Sequence, residues 1–183
     1  MRIIAGALKG RRLEAPDWPG LRPTSDKLRE TLFNVFAPRI DGARFLDGFA
    51  GTGAVGIEAL SRGAAHVTFV ERDARAVRLI EKNIGRAGLS ADRHVIIRAE
   101  LTGGVRRLAG QRFDLVFLDP PYGAAELSDA LTAIEPLVGP ETLLVIEHAK
   151  RDVAPAESGS LACVREIVSG DSTLAFYRVA EAS

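Results

Sequence analysis

From residue 44 onward, short apolar segments alternate with segments whose apolar residues recur at helical spacing. The apolar segments have the Val, Ile, Leu and Phe content of buried strands, and they occupy residues 45–46, 66–70, 95–97, 113–118 and 143–146. Helices are predicted between them, over residues 53–62, 73–87, 101–109 and 126–137. Strands that alternate with helices form a parallel sheet covered on both faces. The sequence therefore predicts a doubly wound α/β fold.

The C-terminal segment departs from this alternation. Residues 161–168 and 172–179 both have the pattern of strands, and no helical segment separates them. Two consecutive strands joined by a short turn pair antiparallel. We therefore expect a mostly parallel sheet that finishes in an antiparallel hairpin.

The N-terminal segment lies outside the alternation as well. Residues 2–5 and 11–15 are two short strand-like segments around glycines, which predicts a β-hairpin. A proline-rich loop follows, and a helix begins near Ser25 and ends before a proline. We expect a hairpin-and-helix extension over residues 1–42 and a main domain over residues 43–183.

Basic residues of this extension are candidate contacts to a polyanion. Residues 1–44 carry nine Lys or Arg and five Asp or Glu, in a chain whose formal net charge is zero. A basic extension suits a phosphate backbone, although a solvated face of scattered charge would give the same count. The candidate phosphate contacts are Arg2, Lys9, Arg11, Arg12, Arg22 and Arg29.

Composition disfavours several classes of protein. The single cysteine, Cys163, excludes an internal disulfide framework and a cysteine-based zinc cluster. The three histidines, His66, His94 and His148, lack the spacing of metal ligands, so no metal is predicted. No apolar segment is long enough to span a membrane, and the N-terminus lacks the apolar core of a signal peptide. We therefore expect a cytoplasmic protein with no membrane partner.

A glycine-rich motif connects the first strand of the main domain to its first helix. It reads Phe45-Leu46-Asp47-Gly48-Phe49-Ala50-Gly51-Thr52-Gly53-Ala54-Val55-Gly56. Gly51 and Gly53 allow positive φ and a close approach of the backbone to a ligand. The free amides at the start of the helix can bind an anionic group. Glu71 ends the second strand, where an acid is placed to bind a ribose diol.

This motif is compatible with two kinds of ligand. Residues 51–56 formally match G-x-G-x-x-G, and Glu71 has the spacing found in dinucleotide sites, so a hydride-transfer enzyme is the rival. In that fingerprint the glycines follow the strand directly, whereas residues 47–50 intervene here. The Asp47 carboxylate would repel a pyrophosphate but would attract the ammonium of a methionine moiety. The motif therefore favours S-adenosylmethionine, and a plain βα turn is the structural alternative.

The second motif, Asp119-Pro120-Pro121-Tyr122, follows the fourth predicted strand, at the sheet edge where ligands gather. The Asp119 carboxylate and the Pro120 carbonyl can accept hydrogen bonds from an exocyclic amine, and the two prolines fix the turn. Tyr122 offers a flat face to an extruded base. We predict that these four residues hold an amine for methylation, largely by positioning it. A proline turn with a capping Asp is the structural alternative.

Together the two motifs resemble those of class I methyltransferases that act on amino nitrogens. The wider chain resembles one family nearly from end to end, the RsmD-type methyltransferases that modify N2 of a guanine in small-subunit ribosomal RNA. The segments that carry this resemblance are Arg22-Pro23-Thr24 and Arg29-Glu30-Thr31-Leu32-Phe33-Asn34, which generic methyltransferases lack, together with Arg2-Ile3-Ile4-Ala5-Gly6, Gly10-Arg11, Gly56-Ile57-Glu58-Ala59-Leu60-Ser61-Arg62-Gly63-Ala64 and Val70-Glu71.

The resemblance implies a Rossmann-like class I methyltransferase fold with a seven-stranded sheet and an N-terminal β-hairpin extension. It implies S-adenosyl-L-methionine as cofactor, and 16S rRNA within the assembling small ribosomal subunit as substrate. At Arg98 the family often has an acid near the adenine, so Glu100 or a backbone amide is expected to make that contact. The implied cofactor contacts are Asp47, Phe49, Ala50, Gly51, Thr52, Gly53, Glu71, Arg72, Ala99 and Glu100.

Two other functions remain compatible with these motifs. A related amine methyltransferase that acts on adenine N6 in DNA, or on a protein glutamine, would use the same Pro-Pro-Tyr turn, although no added recognition domain is visible. A non-catalytic RNA-binding factor of ribosome assembly would share the fold, but intact Asp119 and intact glycines speak against it. The predicted function is methylation of guanine N2 in ribosomal RNA.

Overall fold

One eight-stranded sheet organises the part of the chain that the computed structural model describes, residues 1–21 and 23–180. The strands are β1 (Arg44–Asp47), β2 (His66–Glu71), β3 (His94–Arg98), β4 (Leu115–Leu118), β5 (Leu143–Ala149), β6 (Glu157–Ser158), β7 (Leu161–Ser169) and β8 (Ser172–Val179). Their order is β3-β2-β1-β4-β5-β8-β7-β6. The first five strands are parallel, and the last three pair antiparallel. The order reverses between β1 and β4, where a doubly wound sheet opens a crevice for ligands.

Five α-helices lie among the described residues: α1 (Asp26–Phe36), α2 (Ala54–Ser61), α3 (Ala74–Ala87), α4 (Leu101–Arg107) and α5 (Ala124–Ile134). Local capping signals fix several of their ends. The side chain of Ser25 accepts a hydrogen bond from the Leu28 amide at 3.2 Å and caps α1. Asp73 caps α3, and Gly88, at φ +64°, ends it. None of these helices is both long and apolar enough to cross a membrane.

Apolar side chains cover both faces of the sheet. Helices α1, α2 and α3 pack on the face that carries Phe117 and Val145. Helices α4 and α5 pack on the face that carries Val116 and Ile146. Because successive side chains of a strand point to opposite faces, this alternation fixes the face on which the residues at the ends of β4 and β5 lie.

One buried carboxylate ties the N-terminal segment to α2. Glu58 is fully buried and accepts hydrogen bonds from the amides of Ile4 at 2.8 Å and Ala5 at 2.9 Å. Its oxygens also lie 2.8 Å from Nε of Arg62 and 3.6 Å from Nη1 of Arg29. These directional contacts hold the segment before α1 firmly against the sheet domain.

The predicted α/β class and the mostly parallel sheet with an antiparallel C-terminal hairpin are confirmed. The seven expected strands are present, and β6 adds an eighth that is too short, at two residues, to leave a sequence pattern. The expected N-terminal hairpin pairs through a single antiparallel bridge, Arg2 with Arg12, because residues 5–10 form turns and bends. The division into 1–42 and 43–183 stays a prediction.

Candidate active site

A cleft opens at the carboxyl ends of β1, β2 and β4. Its volume is about 780 Å³, within the range of roughly 300–1,000 Å³ that small-molecule sites occupy. It is lined by the turns after these strands and after β3, by the loop before α1 and by one side of α5. The structure therefore brings the glycine-rich motif and the Asp119 motif to one site.

Two glycines shape the turn after β1. Gly51 has φ +54° and Gly53 has φ +76°, the left-handed region in which glycine is unstrained. Gly51 lines the cleft. Gly53 is not among the lining residues, and a Cβ added there would lie 3.2 Å from the side chain of Ile80 in α3. Gly53 therefore shapes the turn and permits its packing on α3.

The Glu71 carboxylate holds this turn while it lines the cleft. Its Oε2 accepts a hydrogen bond from the Gly51 amide at 2.9 Å, and its Oε1 accepts one from the Asp73 amide at 2.8 Å. An ionised carboxylate has about four acceptor positions, so about two remain for hydroxyl groups of a ligand. Glu71 is thus placed both to orient the turn and to bind a diol.

Asp47 is a buried carboxyl at the end of β1. It is 1% exposed, and its Oδ2 accepts a hydrogen bond from the Gly56 amide in the first turn of α2 at 3.1 Å. Burial raises the pKa of Asp47 to about 7; the hydrogen bond from Gly56 opposes this rise, and the charge of Glu71 adds to it. A cation in the cleft would favour the ionised form, which suits Asp47 to an ammonium group.

The Asp119 motif forms another part of the wall of the cleft, and all four of its residues line it. Asp119 is half-buried and Pro120 is buried, whereas Tyr122 is 53% exposed. Desolvation holds the pKa of Asp119 well above its usual range, and the charges of Glu147 and Asp47 raise it further. An acceptor at a strand end beside an exposed aromatic ring can hold and stack a flat, amine-bearing group.

Glu147, two residues before the end of β5, was missed by the sequence analysis. Leu118 of β4 pairs with Ile146 of β5, so Asp119 and Glu147 are the next residues on two adjacent strands. Glu147 is 5% exposed. A signal was available in the sequence, because Glu147 follows the apolar residues 143–146 of β5 just as Asp119 follows the apolar strand β4.

Most residues implied as cofactor contacts line the cleft. Arg72 and Glu100 form an ion pair at its rim, 3.5 Å apart. Arg98 is exposed and absent from the lining. No group of three or more His, Cys, Asp or Glu side chains within residues 1–21 and 23–180 is arranged to hold a metal ion. The implied contacts that line the cleft are Asp47, Phe49, Ala50, Gly51, Thr52, Glu71, Arg72, Ala99 and Glu100.

The loop before α1 covers one end of the cleft, which the sequence analysis did not predict. The Trp18 ring lies under the Arg75 guanidinium, with 5.2 Å between the ring centroid and Cζ. Leu21 packs over Gly51, where an added Cβ would lie 3.1 Å from Cδ1 of that leucine. Pro23 and the adjoining threonine also line the site. The segment that precedes α1 therefore belongs to the wall of the cleft.

Four predicted phosphate contacts lie on the surface of the N-terminal segment: Arg2, Lys9, Arg11 and Arg12. Arg11 also donates a hydrogen bond to the carbonyl of Ala87 at 2.5 Å, which holds its side chain near α3. Arg22 lies outside the described residues.

Arg29 is the exception in that set, because the structure places it inside the protein. It is fully buried, and its Nη2 lies 2.6 Å from Asp26 while its Nη1 lies 3.6 Å from Glu58. The same Nη2 donates to the carbonyl of Arg2 at 2.9 Å. A guanidinium enclosed in this way has no route to a phosphate, which corrects the expectation. Arg29 joins α1, α2 and the N-terminal segment instead.

Comparison with known proteins finds relatives that match nearly the whole chain. A family model described as Conserved hypothetical protein 95 matches residues 1–178. The chain is 37% identical to the putative rRNA methyltransferase YlbH of Bacillus subtilis (strain 168), over 97% of this chain and 98% of that protein. It is also 37% identical to ribosomal RNA small subunit methyltransferase D of Escherichia coli (strain K12), over 97% of this chain and 89% of that protein.

A solved structure supports the same relationship. The protein described as putative methyltransferase yhhF from Escherichia coli superposes with a TM-score of 0.84 at 35% sequence identity, over 98% of this chain and 97% of that chain. The match therefore includes the N-terminal segment as well as the sheet that carries the cleft.

Proposed function

The chain belongs to the family described as Conserved hypothetical protein 95, and from this membership and the geometry of the cleft we propose that it methylates ribosomal RNA. The methyl donor is S-adenosyl-L-methionine, and the product is N2-methylguanosine in 16S rRNA of the small ribosomal subunit. The observation that carries the proposal is that the glycine-rich motif and the Asp119-Pro120-Pro121-Tyr122 turn line the same cleft.

The residues of the cleft fit the chemical groups of this cofactor. Asp47, buried and with a raised pKa, suits the ammonium of the methionine moiety. Glu71 keeps acceptor positions for the ribose hydroxyls beyond those it uses for the Gly51 and Asp73 amides. Ala99 and the Arg72–Glu100 pair line the cleft and would contact the adenine. When bound, the cofactor supplies an electrophilic methyl group on a sulfonium sulfur.

The Asp119 turn orients the target amine. The lone pair of an exocyclic base amine is delocalised into the ring, and hydrogen bonds from its N–H groups to two acceptors favour a more nucleophilic nitrogen. The Asp119 carboxylate is one acceptor, and the Pro120 carbonyl is the second. The exposed ring of Tyr122 stacks on the extruded base. Catalysis is largely a matter of alignment, which is worth several kcal/mol when two reactants are held in line.

The proposed partner is 16S rRNA within the assembling small subunit, in the cytoplasm. Exposed cations of the N-terminal segment are available for its phosphates, and phosphate contacts supply most sequence-independent affinity. These cations are Arg2, Lys9, Arg11 and Arg12. Base recognition then falls to the Asp119 turn and the loop before α1.

The test is nucleoside analysis of small-subunit RNA that lacks the modification, incubated with the protein and isotope-labelled S-adenosyl-L-methionine. We expect label in N2-methylguanosine from the wild type and none with Asp119→Ala. The exposed Asp171→Asn serves as the matched control and should match the wild type. In parallel incubations with DNA or with protein as substrate, label in N6-methyladenine or in glutamine would replace this function by a related one. Cofactor binding without any transfer would identify a non-catalytic assembly factor.

A further inference from the structure

Asp119 and Glu147 lie side by side near the ends of two parallel strands. The register pairs Leu118 with Ile146, so these two acids are the next residues in line on β4 and β5. Residues two positions earlier on both strands pack against α1–α3, so both carboxyl groups emerge on that face. Adjacent strands are about 4.8 Å apart, a separation at which two carboxylates interact strongly.

Glu147 is buried, and it forms no ion pair with another side chain among residues 1–21 and 23–180. Ser172 of β8 donates a hydrogen bond to its Oε1 at 2.8 Å, and its Oε2 has no hydrogen-bond partner among the described residues. The neighbouring His148 directs its Nε2 toward Glu166 of β7, at 3.6 Å. A buried carboxylate without a cation costs free energy. Its position beside Asp119 indicates that its charge acts on Asp119.

We propose that Glu147 is a positioning residue for methyl transfer. Its carboxylate makes Asp119 a stronger base for the proton that leaves the target amine. This inference rests on the proposed function and deepens it. Glu147 does not line the cleft, so it acts through Asp119 and does not touch the substrate.

The proton has to leave the amine during the reaction. As the bond between guanine N2 and the methyl carbon forms, the carbon–sulfur bond of the donor breaks, and the sulfur keeps that electron pair as a neutral thioether. The nitrogen gains positive charge and releases one N–H proton to the Asp119 carboxylate. Asp119 then loses this proton to water before the next turnover.

A negative neighbour makes Asp119 a stronger base. After desolvation, the charge of Glu147 is the largest cause of the raised pKa of Asp119, ahead of Asp47. Burial also raises the pKa of Glu147, whereas the Ser172 hydroxyl and then His148 lower it. The two carboxyl groups therefore interact directly, and removal of the Glu147 charge should lower the pKa of Asp119.

Other charged groups surround this pair and have to be held constant in the test. His148, the residue after Glu147 in β5, faces Glu166. The remaining acids that line the cleft are Asp47, Glu71, Asp73, Glu100, Glu126 and Asp129. Because none of these changes in a Glu147 variant, a shift in the pH profile reports on Glu147.

The experiment measures the single-turnover methylation rate of small-subunit RNA against pH, at saturating S-adenosyl-L-methionine, for the wild type and Glu147→Gln. The wild-type rate rises as Asp119 ionises. In Glu147→Gln we expect this rise to move to lower pH by about one unit or more, and the plateau rate at high pH to fall because Asp119 is a weaker base. A purely structural role would lower the rate at every pH without moving the rise. The exposed Glu141→Gln is the matched control and should not shift it.

An unshifted pH profile in folded Glu147→Gln overturns the inference. If that variant does not fold, Ser172→Ala replaces it. Loss of the Ser172 hydroxyl keeps Glu147 protonated to higher pH, so the rise in rate should move to lower pH by a smaller amount. A rise in rate at the wild-type pH would again overturn the inference. Failure of the wild type to methylate small-subunit RNA would overturn the proposed function. A wild type that methylates, with variants of unchanged profile, would overturn the role of Glu147 alone.

Discussion

Asp47→Asn should stabilise the cofactor-free protein at neutral pH and weaken its binding of the cofactor. Burial raises the pKa of Asp47 from 3.8 to about 7, which corresponds to about 4 kcal/mol of ionisation cost at 1.36 kcal/mol per pH unit. The folded state holds the Asp47 proton to higher pH than the unfolded state does. The stabilising contribution of the proton is therefore complete below pH 3.8 and is lost as the pH rises through about 7.

Asn cannot ionise, so Asp47→Asn does not lose stability as the pH rises. Its side-chain oxygen can still accept the hydrogen bond from the Gly56 amide. The free energy of unfolding of Asp47→Asn, minus that of the wild type, should therefore show a gain of about 2–3 kcal/mol when the pH is raised from 5 to 8. For a chain of this size, that gain corresponds to roughly 5–10 °C in Tm.

Urea denaturation of both proteins at the two pH values, without cofactor, measures this difference. Asp171→Asn, in the exposed turn between β7 and β8, is the control and should show the same gap to the wild type at both pH values. Calorimetry should show that Asp47→Asn binds S-adenosyl-L-methionine about 10-fold or more weakly, and that wild-type affinity rises as the pH passes through about 7. A gap between Asp47→Asn and the wild type that is equal at pH 5 and pH 8 would refute the reasoning.

Three further predictions concern catalysis and RNA. Asp119→Ala should lower the single-turnover methylation rate by about 10²-fold or more with little change in cofactor affinity, and Asp119→Asn should keep some activity; a wild-type rate in Asp119→Ala would make the turn merely structural. Tyr122→Ala should weaken RNA binding by about 1–3 kcal/mol in a titration, whereas Tyr122→Phe should be nearly silent. Lys9→Gln and Arg12→Gln should each flatten the log–log salt dependence of RNA affinity by about one unit, and an unaltered slope would remove them from the interface.

The sequence predicts the fold well wherever the signal is local. The limits of α3 follow from Asp73 and Gly88, because a cap and a left-handed glycine act on their own turn of the chain. The N-terminal hairpin is different, because a single bridge between Arg2 and Arg12 depends on how the segment packs onto α2. The two-residue β6 exists only through its pairing with β7, which no local pattern encodes.

The same distinction separates the parts of the site that the sequence predicts from those it does not. Asp47 and Asp119 are each adjacent to a recognisable turn, so their position at strand ends follows from the motif. Arg29 looked like a surface cation because its partner, Glu58, lies far along the chain on another helix. Leu21 reaches the cleft only because the loop before α1 folds over Gly51. Contacts between distant segments are the part that composition and spacing do not reveal.

The arrangement of acids at the strand ends follows from the register of the sheet. Asp47 pairs with Phe117, and Asp119 lies two residues further along β4, beside Glu147, so all three carboxyl groups lie on one face. Only Gly56 and Ser172 donate hydrogen bonds to this group among the described residues, and burial therefore raises all three pKa values. Such crowding costs free energy in the folded protein, and an ammonium beside Asp47 would relieve part of that cost. The Asp47 carboxyl group, whose burial weakens the fold, is thus the group that favours the ammonium of the methyl donor.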